Sequence, residues 1–405
     1  MKNKRFIIIA ILYFILCIGN NLIHPITTPF LEDYLQIEKA FFGYYFALMS
    51  LGIVVGAMVC GFLSNKTSRK ILTCIGFVGY ALFQLLFGLV NFNPYIVMIW
   101  RFFSGFFIAF PNTLFIVFAS DLLNKEERVK GLTIMSCVNL LGVAFGYEIG
   151  GVMHDYVFGD NYLASFILQV TWTLIGAVMC FFIMDDKKIE SKKSLPMFKV
   201  LKTLDKKQII FFIALFLFSI GMISVSKFFE PFFQSINSGS GAVSSYLAHF
   251  TTISNIISIL VMLFLIPIIK KHFKKKSNLL FTILLLVSSI LVLIVFTNKD
   301  YNILTILFFS VYLLYVVAKN VMTPLEQNIT IENSKEEDFA SLLSFRQSIL
   351  SLGQVLGPIL LANAFAINMH IPFFVAAALF IVSFILMTIY LILNKKDSKE
   401  VEENG

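Results

Sequence analysis

Charged residues are scarce in this sequence, and their scarcity excludes a soluble protein. Asp, Glu, Lys and Arg make up 14% of the 405 residues, whereas 58% are hydrophobic and the mean hydropathy is +0.85. Soluble globular domains contain about 25% charged residues. A helix needs about 20 apolar residues to cross the hydrocarbon core of a bilayer, so twelve crossings would use about 240 positions and leave only short connections.

Cysteine and tryptophan are also rare. The five cysteines lie within or at the ends of apolar runs and no pair has CxxC spacing, so we expect neither a disulfide framework nor a zinc site. Phe is abundant instead, with 46 copies against 2 Trp, and its ring suits helices in lipid because it adds no unsatisfied polar group. No Walker loop or catalytic triad is visible. We therefore predict no cofactor, no metal and no enzymatic reaction.

The apolar residues are grouped into runs that are long enough to cross a membrane. We place the segments at approximately 6–27, 41–63, 71–90, 95–119, 132–153, 162–184, 208–232, 243–269, 278–297, 302–325, 340–366 and 372–393. The chain is therefore predicted to be an all-α integral membrane protein with twelve transmembrane helices.

The net charge of +8 comes from basic residues that lie mostly on one side of this predicted membrane. Of the 32 Lys and Arg residues, 27 fall on the side of the two termini, Arg346 among them. By the positive-inside rule both termini are cytoplasmic, in a multi-pass protein of the plasma membrane. Because the charge reports topology, we expect no nucleic-acid partner.

The longest connection divides the twelve segments into two sets of six. We predict an N-terminal bundle at 1–184, a cytoplasmic linker at 185–207, and a C-terminal bundle with a short cytoplasmic tail at 208–405. The linker is basic and polar, as a solvated connection would be, and we assign it no site.

An internal duplication supports the same division. Gly142 and Gly146 recur as Gly353 and Gly357, at an offset of 211 residues that is close to half the chain. Since the same face of the membrane is reached again after six helices, such halves would be parallel repeats about an axis along the membrane normal.

The connection between the second and third segments reads Gly-Phe-Leu-Ser-Asn-Lys-Thr-Ser-Arg-Lys at 61–70. It resembles the signature loop of the major facilitator superfamily. Gly61 would permit close approach of a neighbouring helix, and Arg69 would stay with the anionic cytoplasmic surface. The family's acidic residue, which is thought to latch onto a helix N-terminus, is replaced here by Asn65, so the resemblance implies a weaker latch.

Two further motifs carry the resemblance. Arg101 and Gly105 resemble the family's Arg-x-x-x-Gly motif, whose Arg is implicated in proton coupling in related antiporters. A guanidinium in hydrocarbon costs about 2.5 to 3.5 kcal/mol, so it should face a cavity or a partner, unless it snorkels to the outer surface.

The fifth segment resembles the drug:proton antiporter signature, with Tyr147 where Pro is usual. The expected helix-packing residues of the two halves are Gly142, Gly146, Gly150, Gly353, Gly357 and Pro358.

Other polar residues within the segments are candidates for the substrate cavity or for proton coupling. Glu148 lies at a depth similar to Arg101, and we expect the two to pair, either as a structural tie or as a protonation switch. Lys227 and Glu230 share one helix face and could neutralise each other. Lys319 has no charged neighbour before Glu326.

Two histidines and one asparagine leave their roles open. Asn21 and His24 could hydrogen-bond a substrate or cap a kinked helix. His249, near the outer end of the eighth segment, is interpreted as a boundary residue, with a proton relay as the alternative.

The resemblance to the major facilitator superfamily, and to its twelve-helix drug:proton antiporters, covers nearly the whole chain. It implies alternating access, with helices 1, 4, 7 and 10 lining the cavity, and proton-coupled efflux of hydrophobic or amphiphilic small molecules by a monomer in the lipid bilayer. Proton-coupled transport of one specific metabolite (a sugar, an organic anion or an amino-acid-like compound) is the alternative, and a receptor without transport is a third. Three basic cavity charges against one acidic favour anionic, zwitterionic or neutral amphiphiles over cationic drugs.

Overall fold

The computed structural model describes residues 4–64, 67–89, 93–123, 125–159, 161–184, 204–237, 243–272, 277–298, 300–331 and 339–403. Within these ranges the regular structure is helical and contains no strand. Asn65 of the signature loop and residues 185–203 of the predicted linker lie outside the described residues.

Twelve helices among the described residues are long and apolar enough to cross a membrane, which confirms the predicted number. We number them in chain order: α1 Lys4–Tyr34, α2 Ala40–Leu63, α3 Arg69–Leu89, α4 Pro94–Asp121, α5 Lys125–Val152, α6 Tyr162–Ile183, α7 Lys206–Asn237, α8 Val243–His272, α9 Ser277–Phe296, α10 Tyr301–Ile331, α11 Phe339–Ile367 and α12 Ile371–Glu403.

The first helix is interrupted and ends later than its apolar segment predicted. An α-helix at Lys4–Asn21 is followed by a short helix at His24–Pro29 and by one π-helical turn at Phe30–Tyr34. The helix breaks just before Pro25, which has no N–H to donate to the preceding turn. A π-helical turn at Met153–Val157 likewise extends α5, and another at Phe308–Tyr312 lies within α10.

Cα proximity groups the chain into two compact units. The first comprises Met1–Ser191 and Phe229–Ile259, and the second comprises Lys192–Phe228 and Leu260–Gly405. The distal part of α7 and most of α8 therefore belong to the first unit, whereas the repeat in the sequence places them in the C-terminal bundle. The bundle boundaries at 184 and 208 remain a prediction.

In the first unit, α2 and α4 approach so closely that only glycine fits between them. A Cβ atom on Gly52 would lie 2.1 Å from the carbonyl oxygen of Phe102, and one on Gly105 would lie 2.2 Å from that of Met49. Gly105 of the Arg-x-x-x-Gly motif is thus a packing residue. This contact fixes the height at which α4 presents Arg101.

A buried polar network joins α1, α3 and α6 in the same unit. The hydroxyl of Tyr80 donates to Asn20 Oδ1 (3.0 Å), and the side chain of Gln169 donates both to that hydroxyl and to the carbonyl of Gly19 (both 2.9 Å). In hydrocarbon these groups have no water to bond. The network therefore holds the distal half of α1 in place.

Candidate functional site

The glycines of α5 form a strip against α1. A Cβ atom on Gly142 would lie 2.3 Å from Cys17 Cβ, and one on Gly150 would lie 1.8 Å from the carbonyl oxygen of Leu22. Gly146 lies between them, and a Cβ atom on it would lie 2.7 Å from the carbonyl oxygen of Ile18. Any side chain at these positions would push the two helices apart.

The second unit repeats this arrangement with α11 and α7. A Cβ atom on Gly353 would lie 1.8 Å from Ser219 Oγ, and one on Gly357 would lie 2.7 Å from a methyl carbon of Ile223. The helix continues through the buried Pro358. In each unit, therefore, the helix with the repeated glycines packs on the first helix of its predicted bundle: α5 packs on α1, and α11 packs on α7.

A row of polar contacts joins α5 and the π-helical turn that follows it to residues 229–259 at the distal end of the first unit, the end away from the start of α1. We call this row the distal seam, and its side chains and carbonyls belong to Ala144, Tyr147, Glu148, Gly151, Asp155, Glu230, Ser245, His249 and Thr252. Three of these contacts involve ionisable groups.

Tyr147 and Glu230 form the buried centre of the seam. The Tyr147 hydroxyl donates to Glu230 Oε1, and the two residues are 7% and 8% exposed. The ring of Tyr147 also stacks on His24, with ring centroids 5.6 Å apart and planes 7° from parallel. Proline, usual at this position of the antiporter signature, could make neither contact.

Glu148 pairs with His249, and the expected pairing with Arg101 is wrong. His249 Nδ1 lies 2.7 Å from Glu148 Oε1, and both side chains are partly exposed. Depth along a helix axis suggested Arg101 as the partner, but the side chain of Glu148 points to α8. His249, interpreted as a boundary residue, is therefore a polar partner of Glu148 within the seam.

Backbone groups complete the seam near the start of α8. The Asp155 carboxylate accepts a hydrogen bond of 2.7 Å from the backbone N–H of Ser245, in the first turn of that helix. Thr252 donates to the carbonyl of Ala144 at 3.0 Å. An acidic side chain at a helix N-terminus is stabilised by the unpaired N–H groups and the helix dipole.

Arg101 is enclosed by aromatic rings within the first unit. Its guanidinium carbon lies 4.7 Å from the ring centroid of Tyr45 and 5.9 Å from that of Phe87, and the residue is only 2% exposed. Nε and Nη1 have no hydrogen-bond partner among the described residues. The cation is stabilised by ring faces and not by snorkelling to the surface.

Asn21 is satisfied within its own helix. Its amide donates to the carbonyl of Cys17 at 2.7 Å, one turn earlier, and the residue is buried. This contact lies where α1 is interrupted, as expected of a residue that supports a break. His24 lies just beyond the break, against Tyr147.

Lys319 of α10 is the candidate cation of the second unit. Its ammonium lies 3.4 Å from the hydroxyl of Ser226 on α7, and Lys227 is the next residue of that helix. Glu326, the next charge along α10, is bound by Arg346 of α11. Arg346, counted among the basic residues of the cytoplasmic side, is 5% exposed and buried with its acidic partner.

The signature loop is described only in part. A Cβ atom on Gly61 would meet nothing within 4 Å, so the expectation that Gly61 permits close helix approach is not supported in this structure. Arg69 begins α3, with its guanidinium carbon 5.9 Å from the ring centroid of Phe118. Among the described residues no group of His, Cys, Asp and Glu could hold a metal ion.

Known proteins resemble this chain over most of its length. The sequence profile of the Major Facilitator Superfamily matches residues 9–318 and 251–405. Multidrug resistance protein 1 of Bacillus subtilis (strain 168) is 22% identical over 377 residues, which are 93% of each chain. Quinolone resistance protein NorA of Staphylococcus aureus (strain COL) is 21% identical over 408 residues, covering 99% of this chain and all of the relative.

Solved structures share the fold at lower identity. A mutant of the nucleoside transporter NupG matches with a TM-score of 0.79 and 14% identity, covering 95% of this chain and 99% of that one. A bacterial homologue of the human lysosomal transporter Spinster, in an inward-facing and unoccupied conformation, has a TM-score of 0.73 and 11% identity over 96% and 97% of the chains.

Proposed function

Because the chain belongs to the major facilitator superfamily of membrane transporters, we propose that it exports amphiphilic small molecules from the cell in exchange for protons. The protein lies in the plasma membrane as a monomer, with both termini in the cytoplasm. The positive-inside rule supports this orientation, since most basic residues fall on the side of the termini.

The relatives support export. Two that match nearly the whole chain carry the names multidrug resistance protein and quinolone resistance protein. At 21 to 22% identity these names suggest a substrate range and not a particular compound.

The observation that carries proton coupling is the hydrogen bond between Tyr147 and Glu230. An intramembrane carboxylate is expensive and marks a functional site by default. In the predicted division Tyr147 belongs to the N-terminal bundle and Glu230 to the C-terminal one. Alternating access requires such bundles to move against each other, so this contact has to break and re-form in each cycle.

Protonation changes the strength of that contact. The ionised carboxylate accepts a charge-assisted hydrogen bond from the tyrosine hydroxyl, and a proton on the carboxylate removes the charge. Glu148 and His249 give the seam a second pair with titratable partners on both sides. Proton uptake or release at the seam thus alters the stability of its closed form.

The test uses purified chain in proteoliposomes with an imposed proton gradient and a panel of dyes, quinolones and organic anions. The wild type should accumulate hydrophobic compounds against their gradient, and a protonophore should abolish the accumulation. Glu230→Gln and Glu148→Gln cannot change charge, so each should lose accumulation while retaining downhill exchange. Glu38→Gln, at an exposed carboxylate between α1 and α2, is the matched control.

Three outcomes would count against the proposal. Normal accumulation by Glu230→Gln and Glu148→Gln would remove both residues from proton coupling. Movement of a single metabolite and of no amphiphile would favour a specific transporter. Absence of gradient-dependent flux with every compound would contradict transport by this chain.

A further inference from the structure

We propose that Lys319 and Ser226 form a subsite for the anionic head group, such as a carboxylate, of a transported amphiphile. The inference rests on the proposed function, because it names the substrate class that the cavity would accept. The subsite lies wholly within the second unit, between α10 and α7.

Lys319 is under-coordinated for an ammonium group in a membrane-spanning helix. Such a group carries three N–H donors. Within the described residues its one hydrogen bond goes to the Ser226 hydroxyl, and at 3.4 Å that bond is long. A cation within hydrocarbon needs a counter-charge or further acceptors, because its desolvation is otherwise uncompensated.

The acidic residue next in sequence on α10 does not supply that counter-charge. Glu326 lies seven residues further along α10, about 10 Å at 1.5 Å per residue. It is 3% exposed and bound to Arg346, which is also buried. Breaking that pair would leave a buried guanidinium without its partner, so Glu326 is committed to Arg346.

The surrounding charge raises the demand for an anion. A second basic residue, Lys227, follows Ser226 directly on α7. Two like charges close together repel each other, and a bound anion between or beside them would relieve the repulsion.

The neighbourhood also selects the kind of anion. Val316, three residues before Lys319 on α10, is a buried apolar residue. One turn before Lys319, the hydroxyl of Tyr315 is buried without a hydrogen-bond partner. A ligand with an apolar body and a single anionic head would match these surroundings better than a hydrated inorganic ion.

The test measures head-group preference at equilibrium, without any gradient. The full chain in phosphatidylcholine nanodiscs is titrated in chloride-free buffer with three dansyl-labelled amphiphiles of equal chain length. Their heads are a carboxylate, a carboxamide and a trimethylammonium. The wild type should bind the carboxylate at least about tenfold more tightly than the ammonium, a difference of about 1.4 kcal/mol.

Substitutions at Lys319 should change the preference and not the affinity for the apolar body. In Lys319→Ala the binding affinity should fall about tenfold for the carboxylate probe and less than about twofold for the carboxamide probe. Lys319→Arg should retain the preference, and it also reports on folding if Lys319→Ala is unstable. Lys319→Glu should reverse the preference, and Lys395→Ala, at an exposed lysine of α12, should resemble the wild type.

Three results would overturn the subsite. The first is an equal loss of affinity for all three probes in Lys319→Ala. The second is a wild type that does not prefer the carboxylate probe. The third is displacement of the carboxylate probe by an equal concentration of chloride or phosphate. Because no gradient is applied, a head-group preference can persist even if proton-driven export fails. Conversely, export of neutral compounds can persist if this subsite is wrong.

Discussion

At the residue scale, the departure of this chain from the antiporter signature has a structural counterpart. Tyr147 occupies the position of the usual proline, and its hydroxyl and ring both make contacts in the distal seam. The ring holds His24, and the hydroxyl holds Glu230. These two contacts can be separated by a single substitution.

Tyr147→Phe should uncouple transport from the proton gradient. The substitution keeps the ring against His24 and removes only the donor to Glu230, a hydrogen bond worth about 1.5 to 3 kcal/mol when the acceptor is charged. Gradient-driven accumulation should therefore fall by at least about tenfold, while downhill exchange changes by less than about twofold. Both are measured in the same proteoliposomes.

The control makes the same substitution at a second tyrosine close to the end of α5. Tyr156→Phe alters an exposed tyrosine in the π-helical turn that follows α5, and it should transport as the wild type does. Unchanged accumulation in Tyr147→Phe would mean that the hydroxyl plays no part in coupling. An equal loss of both activities would indicate a structural role instead.

At the element scale, the start of α8 is fixed by a carboxylate in the π-helical turn that follows α5. Asp155 accepts from the backbone N–H of Ser245, and the Ser245 hydroxyl donates to the carbonyl of Gly151 at 3.2 Å. The contact couples a helix end to the seam. Its strength therefore affects how often the distal end opens.

Asp155→Asn should make the distal seam open more often. An acidic group at a partly buried helix N-terminus contributes about 1 kcal/mol, so the open fraction should rise about fivefold. The seam is probed with Ser244→Cys in a cysteine-free background, because Ser244 is buried beside Gly151. The expected result is faster labelling of intact cells by an impermeant maleimide.

Asp33→Asn is the matched control, since Asp33 is an exposed carboxylate in the π-helical turn of α1. Its labelling rate should equal that of the parent. A similar increase in both variants would assign the effect to a general change of charge at this end of the protein. An unchanged rate in Asp155→Asn would show that the contact does not restrain the seam.

The helices and their packing glycines were predictable because the sequence patterns that mark them lie within one helix. Twelve spans follow from hydropathy windows, and the packing of Gly142 and Gly353 follows from spacing along one helix. The partners of Glu148 and Arg101 were not predictable, because equal depth says nothing about the direction in which a side chain leaves its helix. His249 comes from about a hundred residues further along the chain, and no local pattern marks it.

At the scale of the whole molecule, the distal seam and the sequence repeat group the same helices differently. The repeat predicts that α5 moves with α1, while the distal parts of α7 and α8 move with the C-terminal bundle. The compact first unit joins α5 to residues 229–259. If the bundles move as predicted, the seam is a temporary contact and the contact between α1 and α5 is a permanent one.

Cross-linking can separate these two kinds of contact. In a background without the other cysteines, Ala144→Cys with Thr252→Cys spans the seam, where the Thr252 hydroxyl lies 3.0 Å from the carbonyl of Ala144. Asn139→Cys with the native Cys17 spans α5 and α1, where the two side chains are 3.2 Å apart. Oxidation should stop transport in the first pair and leave it intact in the second. Reduction should restore it, and equal inhibition by both cross-links would contradict rigid-body movement of the predicted bundles.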